Sequence, residues 1–134
     1  MTEMVEIHTF GHSTTSIGEA RRFVSGCLRS CEPEVVSSVA LMVSELVSNV
    51  ILHSQGSFTV SVESTIETIR IEVSDFGSGT PTLRSPSSSD PSGRGLQIVA
   101  QLADDWGIIS NTDGNTVWVV VEPTRDDCKS KKVS

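Results

Sequence analysis

The chain has 134 residues, 37% of them hydrophobic and 4% aromatic, with 17 acidic side chains against 10 basic ones and a formal charge of -7. That length sets one domain with a core of its own, and the acidic balance excludes the basic footprint of nonspecific nucleic-acid binding. All three lysines (Lys129, Lys131, Lys132) fall in the last six residues, which excludes a P-loop, because that motif needs a lysine directly behind its glycine loop.

In chain order, Val5 to Phe10 alternate loosely and predict a short strand. Their acidic neighbours Glu3 and Glu6 do not fit the basic-then-apolar order of a signal peptide. Ser16 to Cys31 carry an amphipathic stripe (Ile17, Ala20, Phe23, Val24, Cys27, Leu28, Cys31) and predict a first helix. Cys27 and Cys31 are four apart, which fits neither a redox C-x-x-C motif nor a typical zinc pair. They are expected to be reduced thiols in a cytoplasmic protein. His8, His12 and His53 have no cysteine or carboxylate cluster at ligand spacing, so no metal site built from protein ligands alone is expected. Glu32-Pro33-Glu34 restarts the chain with proline near a first turn and acids where the helix dipole favours them. Val35, Val39, Met42, Leu46 and Val50 then recur at helical spacing through His53, the clearest element in the sequence. No apolar run is expected to approach the roughly 20 residues that span a bilayer.

Phe58, Val60 and Val62 alternate with polar residues, as do Ile69, Ile71 and Val73, and predict two strands joined by a turn. Thr80 to Ser92 hold Ser, Pro and Thr with almost no apolar content and read as a loop. A third helix is expected from about Gly95 to Ala103, followed by a hairpin of Trp106–Ser110 and Thr116–Glu122 around Asn111-Thr112-Asp113-Gly114. Residues 1–123 form one expected domain with a lid loop at 80–92, and 124–134 a polar tail. The fold class is α/β, a two-layer sandwich. About three helices should cover one face of a mixed, mostly antiparallel sheet of about five strands.

Three pieces carry chemistry. Glu45 and Asn49 are one helical turn apart at the border of the apolar stripe, where both can face a cleft. An asparagine oxygen is a hard ligand suited to Mg²⁺, and a glutamate beside it can orient or deprotonate a nucleophile. Asp75-Phe76-Gly77-Ser78-Gly79 ends an apolar strand, placing an acceptor for an exocyclic amine beside glycines that let backbone approach a ligand. Ser92-Gly93-Arg94-Gly95-Leu96 opens the third helix with free N–H groups, two glycines and an arginine, a set suited to phosphate.

In this order the three pieces resemble the N, G1 and G2 boxes of the GHKL superfamily of ATP-binding domains, shared by gyrase, the histidine kinases and MutL. The E-L-V-S-N-x-x-x-H stretch and the ending L-A-D-D-W-G…G-N-T-V-W are similar to one branch, the small RsbW-like anti-sigma factors with serine-kinase activity. The resemblance covers about residues 5 to 122. It implies ATP and Mg²⁺ as cofactors in a Bergerat-type pocket that uses no P-loop lysine. Asn49 would then ligate Mg²⁺ and Glu45 would be the catalytic base. Asp75 would hold the adenine amine, with Gly77 and Gly79 shaping that wall of the pocket, while Gly93, Arg94, Gly95 and Leu96 would wrap the phosphates. Arg84, the lid's only basic residue, would reach them too, and Thr116 would back the adenine through its hydroxyl. His53 matches a histidine usual in the family, and Asn115 stands where many relatives carry lysine.

The implied function is an ATP-binding regulator that sequesters a sigma factor and phosphorylates a serine of a small antagonist protein. The alternative is a non-catalytic partner-switching module of the same fold. A homodimer is expected from the resemblance, with no direct contact to nucleic acid or membrane. The first helix, with Arg21, Arg22 and Arg29, is the candidate partner surface.

Overall fold

The computed structural model describes residues 4–76 and 91–122, without the side chains of residues 91–95 and 111. In chain order the elements are β1 (Met4–Phe10), α1 (Thr15–Cys27), α2 (Pro33–His53), β2 (Phe58–Ser64), β3 (Ile69–Asp75), α3 (Pro91–Leu102), β4 (Asp105–Asn111) and β5 (Gly114–Val121). The strands form one sheet in the order β1-β2-β3-β5-β4, and every pairing is antiparallel. The parallel component allowed by the sequence reading is absent from this sheet. One face is covered by the helices. α2 packs between α1 and α3 and lies over β3, while α1 reaches β1 and β2 and α3 reaches β4.

Alternation decides which side chains go inward. Phe58, Val60 and Val62 of β2, Ile69, Ile71 and Val73 of β3, and Val117, Val119 and Val121 of β5 are buried beneath the helices. Their even-numbered or odd-numbered neighbours form the open face, where Arg70 is ion-paired to Glu72 (2.8 Å) and lies over the Trp118 ring at 4.6 Å. Phe58, Met42, Leu46 and Leu28 are the largest residues at the centre of the core.

α1 stops four residues before the expected Cys31. Leu28 leaves helical geometry (φ -110°, ψ 20°) and turns into the core, where it is 1% exposed. Glu32 must be extended ahead of Pro33 (φ -62°, ψ 142°), so a continuous helix into that proline is barred. α2 then starts on Pro33 with Glu34 in its first turn, as the dipole favours. This 21-residue helix is long and apolar enough to cross a membrane by length and composition, with a mean hydropathy of 1.9 over 18 residues, contrary to the sequence expectation. Val39, Met42, Val43, Leu46, Val47 and Val50 are buried against the sheet and the flanking helices, the position of a core helix.

α3 begins at Pro91 rather than Gly95, which takes residues 91 and 92 out of the expected lid. Proline suits a first helical position, whereas Gly93 and Gly95 each cost about 1 kcal/mol relative to alanine in a helix and so mask its true start. The β4–β5 hairpin closes on Thr112-Asp113, with Asn111 opposite Gly114. Gly114 has φ +153°, and a Cβ there would run into the Asp75 carbonyl oxygen. The hairpin end is therefore pressed directly against the end of β3.

Candidate functional site

The end row of the sheet organises the site. On the helix-facing side, Phe10 pairs with Phe58, Phe58 with Asp75, Asp75 with Asn115, and Asn115 with Ser110. The first two are stacked phenyl rings with centroids 5.4 Å apart. From the third strand onward the row turns polar. Asp75 is half-buried and Asn115 only 8% exposed. One row inward, Val60, Val73 and Val117 close the floor with apolar side chains.

The same end of the molecule holds the last turns of α2. His12, just past β1, donates from Nε2 to the Ile51 carbonyl (3.0 Å), tying the β1 end of the row to that helix end. Asn49 lies two residues before Ile51. Its Oδ1 is buried and finds no hydrogen-bond partner among the described residues, and the same is true of Ser54 Oγ at the end of α2. A buried acceptor left unpaired costs about 1–3 kcal/mol, so two of them around one helix end mark a place shaped for something other than packing. A neutral, hard amide oxygen fits a magnesium ligand.

Glu45, one turn earlier on α2, is half-buried and lines a groove of about 460 Å³ between α1 and α2, together with Arg21, Ala40 and Leu41. This groove lies on the α1 flank of α2, while α3 packs against α2 separately. His53 is exposed at the end of α2 and packs no core. Burial, with Glu6 nearby, raises the Cys27 thiol above its usual range, which makes it a poor nucleophile.

The remaining expected site residues fall into three groups. Gly77, Gly79 and Arg84 lie outside the described residues. Gly93, Arg94 and Gly95 lie in the opening turns of α3; of the three, only Gly93 leaves its backbone N–H outside the helix's own i→i−4 ladder. Leu96 is 7% exposed and belongs to the core, where its side chain anchors the start of α3. Thr116 is placed away from Asp75. It lies on the open face of the sheet, and its hydroxyl is 2.7 Å from Ser74 Oγ. The residue that shares Asp75's face is Asn115. The signal was present in the sequence: Val117, Val119 and Val121 set the inward parity of β5, and counting back by two reaches Asn115, not Thr116.

Residues 10–121 match the family described as "Histidine kinase-like ATPase domain". Among solved structures, the chain is similar to the blue-light activated histidine kinase EL346 of Erythrobacter litoralis (TM-score 0.56, 22% identity), covering 73% of this chain and 33% of that one. It also resembles the histidine kinase domain of that protein (TM-score 0.55, 17% identity, 86% and 63% covered). Histidine kinase AdeS of Acinetobacter baumannii gives a TM-score of 0.57 at 12% identity, with 88% and 68% covered. The chain thus spans about one third of the first of these proteins. At these identities the likeness shows the fold. No curated protein sequence matches the chain.

Proposed function

This chain belongs to the histidine kinase-like ATPase family, and from that premise we propose that it is an anti-sigma factor that phosphorylates a serine of a small antagonist protein. ATP binding comes with the family; the partners and the transfer are the proposal. The observation that carries it is the polar end of the sheet row, Asp75 beside Asn115, set at the same end of the molecule as the buried Asn49 oxygen, which has no partner among the described residues.

In this reading Asp75 accepts a hydrogen bond from the adenine amine, and Asn115, with both donor and acceptor atoms, reads the adjoining edge of the base. The opening turns of α3 present N–H groups to the phosphates, where the dipole also favours negative charge. Asn49 would hold Mg²⁺, which supplies charge neutralisation along the phosphates that a body carrying no lysine before Lys129 otherwise lacks. Glu45 takes the proton from the incoming serine hydroxyl as that oxygen bonds to the γ-phosphorus and the bond to ADP breaks.

The test is direct. With Mg-ATP and a candidate antagonist, wild-type protein should form phosphoserine while Glu45→Gln should lose about a hundredfold or more in rate and still bind ATP. Equal phosphoserine from both proteins would refute the catalytic role. No phosphoserine from wild type, with nucleotide-dependent partner release intact, would favour the non-catalytic module.

A further inference from the structure

Two glycines of the β4–β5 hairpin are required for different reasons. Gly107 lies beneath the Trp118 ring on the open face, where a Cβ would come within 2.7 Å of the indole. Its obstacle is a side chain. Gly114 meets backbone instead. It is buried with φ +153°, and a Cβ there would strike the Asp75 carbonyl oxygen and come within 2.9 Å of the Phe76 Cα. A ring can swing aside, but backbone at that place cannot move without carrying the Asp75 side chain along. Among the glycines whose surroundings are described, only Gly114 would meet backbone.

We propose that Gly114 is a positioning residue for Asp75: it lets the hairpin backbone lie directly on the Asp75–Phe76 peptide and so fixes the carboxylate before any nucleotide arrives. This role rests on the reading of Asp75 as the acceptor for the adenine amine. The place needs such a hold. Asp75 is the last residue of β3, and its ladders to β2 and to β5 both stop there, at Phe58 and at Asn115. The final rung of a ladder opens more readily than its centre, whereas a hydrogen bond weakens steeply once donor and acceptor lose alignment. A residue without Cβ, in a backbone conformation that other residues rarely adopt, removes that conflict by close approach. Asn115, opposite Asp75 in the sheet, directly follows Gly114, so the same contact sets both polar residues of the row.

Calorimetric titration of the full chain with Mg²⁺ and either ATP or purine riboside triphosphate, which lacks the exocyclic amine, tests it. Wild type should prefer ATP by about tenfold, the value of one hydrogen bond to an ionised acceptor. In Gly114→Ala that preference should fall to about twofold or less, because a misaligned acceptor no longer distinguishes the two bases. Gly107→Ala is the control for lost stability. Its Cβ meets only the Trp118 ring, so it should melt earlier than wild type and keep the full preference for ATP. Hydrogen exchange of ligand-free wild type gives a second reading that needs no variant to fold: residues 74–76 should exchange as slowly as residues 71–73. A preference for ATP retained in Gly114→Ala, or exchange at residues 74–76 that slows only when ATP is added, would overturn the positioning role and leave the base reading standing. A wild type that binds both nucleotides equally would overturn the two together.

Discussion

Two halves of one row across the sheet do opposite work. Phe10 and Phe58 fill theirs with stacked rings, and Phe58 is fully buried. Asp75 and Asn115 occupy the other half at the same depth along the strands, with hydrogen-bonding groups where two more apolar side chains would fit the pattern. The backbone pairing is continuous through both, so the difference lies in the side chains alone. The apolar half adds stability by removing carbon from water. The polar half gives up such burial, and beside it α2 keeps a buried acceptor in Asn49 that no described residue satisfies. Forgone stability concentrated at one end of a sheet is what a ligand site requires.

Substitutions in the two halves should therefore separate stability from nucleotide affinity. The largest effect is expected at Phe58→Ala, which should lower unfolding free energy by about 3–5 kcal/mol in denaturant titration. A loss under 1 kcal/mol would mean the apolar half is not the anchor. Asn115→Val should leave the fold intact and weaken ATP about tenfold, the value of one hydrogen bond to the base, read by calorimetry. Smallest of the three is Thr116→Val. It should cost about 1 kcal/mol of stability through the lost Ser74 contact and leave ATP affinity unchanged. If Thr116→Val were instead the variant that lost ATP, the parity of β5 would be misassigned to the site.

Much of this was legible in the residues. The stripe Val39–Met42–Leu46–Val50 fixes α2 and with it the placement of Glu45 and Asn49 at the stripe's border. Alternation in β2 and β3 fixes which side of the sheet Asp75 faces. Element ends were less legible because local signals conflicted there. Leu28 continues the helical stripe of α1 yet is drawn into the core by a turn, and the glycines at 93 and 95 argue against a helix that Pro91 has already started. Thr116 lies away from Asp75 for a different reason. A threonine hydroxyl looks like the better partner for a base, but side-chain parity along β5 sends it to the far face and brings in Asn115. Gly77, Gly79 and Arg84 lie outside the described residues and carry no placement.

The most direct measurement is calorimetric titration of ATP, with and without Mg²⁺, into wild type and Asn49→Leu. Leucine is close in volume and removes an acceptor that has no partner among the described residues, so the ligand-free variant should gain about 1 kcal/mol of stability. Wild type should bind Mg-ATP well and metal-free ATP poorly, because a tetra-anion meets a body whose residues 1 to 123 carry 15 acids against 6 arginines. Asn49→Leu should lose the metal-dependent binding while remaining folded. Metal-independent ATP binding in wild type, or Mg-ATP affinity unchanged in Asn49→Leu, would contradict the assignment of this end of the sheet as the nucleotide site.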